Sequence, residues 1–373
     1  MGSYIVKARR TPIFRVKKRW SSYHADEFGA AVIKDILGAG EMLPDLVIMG
    51  AYAQAKENPG NRNLRLTQNP AKEACIKAGY EYLSAMTVGK VCSSGLLAIM
   101  LGDAMISSEN AECILAGGME NQLQFSPAVR AELLQDPFTG EMTWDAGEWC
   151  ARDRGITRRD QDDWTWSSYQ KAKRAVACKK FNREILPFWN SSEDEEPGRD
   201  ISYINIFSAQ PLSGCATITA LNSSKIAAAA AGVLLANSKT VEQGSCEPLA
   251  EIVGFASYAM GGNNKKFAVA PSFAIRRVLE KTNLKIKDIG LFEINAAFAS
   301  IVLNAIRCLP IDPDKVNIRG DSISFGHPIG ATGAILVVKM AHMLIDLGLR
   351  YGVVSLCNTP GEATAMILKN ATK

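Results

Sequence analysis

The chain has 373 residues, 47% hydrophobic and 21% charged, enough apolar material for a large core. Forty-two basic and thirty-eight acidic residues leave a net charge of only +4, too weak to favour nucleic acid or a membrane as a whole-surface partner. The longest apolar run, residues 226–236, is half the roughly 20 residues that span a bilayer and reads as a buried, Ala-rich helix.

At about 150 residues per domain, the length points to two domains or to one domain of two halves. Nine cysteines occur without a CxxC pair, and no secretory signal precedes them, which reads as a reduced, intracellular and cytoplasmic protein. With only His24, His327 and His342, a histidine metal site is not expected, and a CxxC zinc site is excluded.

Residues 1–25 hold Lys7, Arg9, Arg10, Arg15, Lys17, Lys18 and Arg19 and no acid before Asp26, a pattern shared with mitochondrial transit peptides. The favoured reading makes residues 3–8 the first strand and 9–20 a basic surface loop. Apolar spacing then predicts a helix over 26–37, a strand over 45–50, a helix over 70–78 and a strand over 85–91. A helix over 96–107 and a strand over 113–116, closed by Gly117 and Gly118, complete an α/β alternation. Residues 119–215 change character: 152–183 hold ten basic and four acidic side chains, and an acidic stretch follows at 191–200. Both read as solvated faces of an inserted segment.

The last third repeats the first: a strand over 291–294, a helix over 297–308, a strand around 322–325, a helix over 334–347 and a strand over 352–356. Gly95 and Gly333 each precede a buried strand by about twenty residues, so two similar halves would bring two strand–helix junctions together. Three of the side chains that carry chemistry sit at such junctions. Cys92 precedes a helix, whose N-terminus stabilises a thiolate and lowers the thiol pKa. His327 is held between Gly326 and Pro328, which suits a general base or oxyanion donor. Cys357 ends a strand. Asn295 ends another, where it could equally cap the following helix.

Together, VCSSG at 91–95, AGGME at 116–120, INAAFA at 294–299, GHPIGATGA at 326–334 and the Cys357 loop resemble the thiolases. ARRTPI at 8–13, GAAVIKDIL at 29–37, QNPAK at 68–72 and ITRRDQD at 156–162 add to the resemblance, and the first of these argues against a transit peptide. It implies two pseudo-symmetric βαβαβαββ halves in a five-layered α-β-α-β-α core: residues 1–118 with 216–243, then 244–373, with 119–215 as an inserted loop domain. It also implies that Cys92 carries the acyl group, His327 takes the Cys92 proton, Cys357 moves a Cα proton, and Asn295 positions water in an oxyanion hole shared with His327. Ser224, Met142, Thr359 and Gly361 would contact substrate. Coenzyme A thioesters would be substrates, with no metal or redox cofactor, in a homodimer. The related ketosynthases use Cys with two His; Cys357 stands at the third position here, and neither His24 nor His342 lies in a matching motif.

The sequence departs from the family pattern at Ala296, where a Glu is usual, and after Cys357, where Asn358–Glu362 replace a glycine-rich run. Lys225 and Ala228 replace Gly and Asp after Ser224. These departures and the basic stretch 152–183 leave two alternatives open. One is a specialised condensing enzyme fed by an acidic acyl carrier protein. The other is a non-catalytic subunit of the same fold. Trp144, Trp149, Trp164 and Trp166 either shape an altered acyl pocket or pack the insertion.

Overall fold

The computed structural model describes residues 2–38, 42–57, 64–244, 246–262 and 264–372. Its main sheet runs, edge to edge, Leu291–Ile294, Tyr351–Asn358, Glu362–Asn370, Ala250–Ala259, Tyr4–Arg10, Ala227–Ala236, Cys113–Asn121, Leu46–Gly50 and Ala85–Val88. Numbered within the first half, that is third–second–fourth–fifth–first. The second half gives the same order, with its third position reduced to a parallel bridge between Val316 and Phe292. Parallel and antiparallel pairings also match: the second strand is parallel to the fourth, and the fifth is antiparallel to its neighbours. The two first strands pair antiparallel at Tyr4–Glu251 and Ile5–Ala250, which joins the halves.

Burial follows five layers. Ala25–Leu37 and Pro70–Ala78 cover one outer face, and Ala270–Thr282 and Ala299–Cys308 the other. Between the two halves of the sheet lie Ser94–Ser107 and Ile329–Leu347, which share one core with residues from both. A helix buried on every side needs apolar residues on every side. For that reason Ile329–Leu347 is long and apolar enough to cross a membrane, although Lys339, His342 and Asp346 break its apolar run in the sequence. Here it is the central helix, and it begins five residues before the expected start at 334.

The structure corrects several expectations. Residues 226–236 are not a helix: Ala227–Ala236 is a strand buried over its whole length, antiparallel to a strand on each side. Alanine prefers helices, but small side chains on both faces admit close helix packing, and tertiary context overrides propensity. Residues 322–325 form a short helix rather than a strand, because Asp321 caps it, its Oδ1 accepting the Ile323 N–H at 3.0 Å. The strand expected to close at Gly117–Gly118 continues to Asn121, past the expected half boundary at 118.

The basic N-terminal stretch and the acidic stretch at 191–200 are not two solvated faces. Arg10 is 1% exposed; its guanidinium meets Glu184 at 2.7 Å and both oxygens of Asp194 at 2.7 and 2.9 Å. Glu195 accepts from Lys17, Arg19 and the Trp20 indole. The insertion is thereby clamped to the first strand by charges that looked unrelated in sequence. Within 152–183 four of the ten cations meet a carboxylate: Arg154 with Asp153, Arg158 with Asp162, Arg159 with Asp163 and Arg183 with Asp346.

Candidate active site

Glycines bring the two central helices together at their starts. A Cβ on Gly333 would lie 2.5 Å from the Leu96 nitrogen, and one on Gly95 would lie 2.9 Å from the Gly330 carbonyl oxygen. Only backbone without side chains packs this closely. The residues just before each helix therefore meet: Cys92 Sγ and His327 Nε2 are 3.2 Å apart. Cys92 sits in the single turn Val91–Ser93, and Val91 holds φ at 49°, costly for a β-branched residue. The strand expected to reach 91 ends at Val88 for this reason. Ser93 Oγ donates to Asn358 Oδ1 at 2.8 Å, which ties the Cys92 turn to the end of the Cys357 strand.

The hydrogen bonds fix the imidazole tautomer. The Thr332 hydroxyl donates to the Pro328 carbonyl at 2.9 Å, so it accepts from His327 Nδ1–H at 2.7 Å. Nε2 is then an acceptor facing Cys92. Burial pushes His327 down to about 4, so the ring is neutral at physiological pH. Burial also pushes Cys92 up to about 12, with a smaller opposing effect from backbone N–H groups. This corrects the expectation of a thiol lowered by its helix N-terminus: desolvation outweighs that stabilisation, and the resting pair is thiol and imidazole. Cys357, 1% exposed, is raised well above its ordinary value by burial and by Cys92.

All three reach one cavity of about 600 Å³. Ser224 and Thr359 line it; Met142 and Gly361 do not. Met142 pairs with Gln135 in the turn before the helix Thr143–Asp153, leaving Thr143 and Trp144 on the wall. Gly361 instead accepts the Met260 N–H through its carbonyl. Of the four tryptophans only Trp144 reaches the cavity, while Trp164 donates to Asp321 in the packed insertion. Asn295 is fully buried and does not cap the next helix, which starts at Ala299 after Phe298. Its Oδ1 accepts from Ser322 Oγ at 2.6 Å, and its Nδ2 has no protein partner. His24 bonds Gln124 and His342 bonds the Ala8 carbonyl; neither lines the cavity.

Sequence reading missed several contributors. Lys225 lines the cavity, donates to the Leu221 and Ser223 carbonyls, and is lowered to about 7 by burial. Its own carbonyl accepts the His327 N–H at 2.8 Å. Arg15, Glu196 and Arg199 also line the wall. Thr332 stands within GHPIGATGA, five residues after His327 and inside the helix that begins at Ile329, a separation that no helical spacing rule marks as a contact.

A thiol against an acceptor imidazole and a second buried thiol share one cavity where twin halves meet, an arrangement suited to thioester chemistry. The chain matches the thiolase N-terminal domain over residues 3–239 and the thiolase C-terminal domain over 246–370. It belongs to the thiolase family and is a thiolase-type acyltransferase. Among relatives, acetyl-CoA acetyltransferase of Schizosaccharomyces pombe is 31% identical over 98% of both chains. The mitochondrial acetyl-CoA acetyltransferase of Mus musculus is 32% identical over 98% of this chain and 90% of that one. Human mitochondrial 3-ketoacyl-CoA thiolase superposes with a TM-score of 0.89 at 27% identity, covering 99% of each chain. Acat5 thiolase from Ascaris suum, solved with coenzyme A, gives 0.89 at 30% identity, covering 99% of this chain and 100% of that one.

Proposed function

We propose that this thiolase joins or cleaves 3-oxoacyl-CoA through an acyl group carried on Cys92. The observation that supports it most is the 3.2 Å contact of Cys92 Sγ with an unprotonated His327 Nε2 on the cavity wall. In this reading Sγ attacks the thioester carbonyl as its proton passes to Nε2, and coenzyme A leaves as a thiol carrying that proton. His327, neutral again, takes the Cys357 proton, and the Cys357 thiolate then accepts a Cα proton from a second acyl-CoA. The resulting enolate attacks the acyl-cysteine, and Cys92 leaves as a thiolate that recovers its proton from His327. A thiolate serves well as both nucleophile and leaving group. Enolate charge needs donors set in advance, one of which is typically worth about 3–4 kcal/mol. The backbone N–H of Thr359, on the cavity wall, is a candidate; Asn295 does not line the cavity and would act through a water on its Nδ2. Ser224 is the proposed contact for coenzyme A.

Condensation and thiolysis assays over a series of acyl-CoA lengths, with acyl-carrier thioesters alongside at low and high salt, test the reading. Turnover with acyl-CoA that ignores salt is expected. A salt-sensitive preference for carrier thioesters would favour the carrier-fed alternative.

Protonation supplies a sharper check. Acylation requires neutral His327, and burial favours the neutral form, so the rate of Cys92 acylation should stay flat as pH falls from 7 to 5.5. An imidazole at its ordinary value would lose about eightfold over that interval. Rapid-quench labelling with acetyl-CoA reads the difference.

A homodimer in the cytoplasm is part of the proposal. Ala85–Val88 is half-buried and pairs with Leu46–Gly50 on one side only, an edge that a second copy could cover. Analytical ultracentrifugation tests the dimer.

A further inference from the structure

One buried carboxylate is not accounted for by this chemistry. Glu120 ends the strand Cys113–Asn121, is fully buried and does not line the cavity. Its Oε2 accepts three backbone N–H groups: Tyr52 at 3.0 Å, Ala53 at 3.4 Å and Gly330 at 3.1 Å. Tyr52 and Ala53 follow the strand Leu46–Gly50 of the first half, whereas Gly330 lies three residues after His327 in the second. The helix that starts there has Pro328 before it and no side-chain cap of its own. A single oxygen from the opposite half therefore takes up one of its free N–H groups.

The fit is close. A Cβ on Gly330 would lie 2.9 Å from that oxygen, and one on Gly118 would lie 2.3 Å from the Gly330 carbonyl. The other oxygen, Oε1, is buried with no hydrogen-bond partner among the described residues. The titratable groups that feel the Glu120 charge are Tyr52 and Cys92, and both are raised by it.

We propose that Glu120 is a positioning residue that clamps the His327 turn onto the first half, holding Nε2 on Cys92. Burial raises Glu120 itself to about 7, so it is mostly ionised only above neutrality. The inference rests on the acyl-cysteine reading.

The test uses purified full-length protein and labelled acetyl-CoA. Wild type must first label; if no acyl-CoA labels it, the acyl-cysteine reading fails and not the clamp. With wild type labelled, Glu120→Ala should slow Cys92 acylation by about tenfold or more at saturating acetyl-CoA, with half-saturation unchanged within about twofold. Glu120→Gln keeps an acceptor oxygen and should recover at least half of that loss on a logarithmic scale. Acylation of Glu120→Ala at the wild-type rate, with only a lower melting temperature, would overturn the clamp. If Glu120→Ala does not fold, Glu120→Asp, whose shorter side chain withdraws the acceptor from Gly330, decides: slowed acylation at unchanged half-saturation supports the clamp, and the wild-type rate refutes it.

Discussion

Cys92→Ala is expected to remain folded and to lose all acyl labelling, whereas Cys357→Ala should still label but fail to condense. The two sulfurs share a cavity but not an environment. Cys92 is half-buried and faces a base; Cys357 is enclosed, with no hydrogen bond from its Sγ to the protein among the described residues. Loss of a positioned proton-transfer group costs about 10²- to 10⁴-fold, so condensation by Cys357→Ala should fall by that range while one acyl group per chain is still trapped. Cys92→Ala removes the acceptor itself, and no other group replaces it. The checks are peptide mapping of trapped acyl groups and a condensation assay on the same preparations. Labelling that persists in Cys92→Ala would place the acyl group elsewhere. Labelling lost in both variants would mean that the second thiol is needed for acylation too.

Arg10→Ala should be the most destabilising single change far from the cavity. Arg10 is buried with Glu184 and Asp194, and Asp194 also accepts the Ile13 N–H at 2.8 Å. Removing the guanidinium leaves two carboxylates buried without their cation. Breaking a buried pair from one side typically costs about 3–5 kcal/mol. Urea unfolding followed by fluorescence should show that loss. A change below about 1 kcal/mol would mean that water reaches the carboxylates and replaces the arginine.

The α/β alternation and the junction residues are legible in periodicity and glycine chemistry, whereas the five layers follow only from the resemblance to the thiolases. Gly95 and Gly333 mark the points where two helices touch, and Cys92 and His327 stand just before them. Other features depend on what comes from afar in the chain. Nothing local distinguishes Ala227–Ala236 from a helix; two neighbouring strands decide it. The pairing of Arg10 with Asp194 spans 184 residues and cannot be read from either charged stretch alone. The Cys92 pKa was misjudged for the same reason, since burial is a property of the assembled cavity and the helix N-terminus is the only part visible locally. Met142 and Gly361 were placed by motif position, and neighbouring residues took the wall instead.

The strand Tyr4–Arg10 pairs with Ala227–Ala236 on one side and Ala250–Ala259 on the other. Its continuation carries the same reach: the Thr11 N–H bonds the carbonyl of Ala230, and the two residues are 219 apart. During translation this strand leaves the ribosome long before either partner exists. Non-local pairing of this kind slows folding and leaves a strand edge open to aggregation meanwhile. Neither half can close its sheet until most of the polypeptide has been made, so the nascent chain is a natural client for chaperones over that interval.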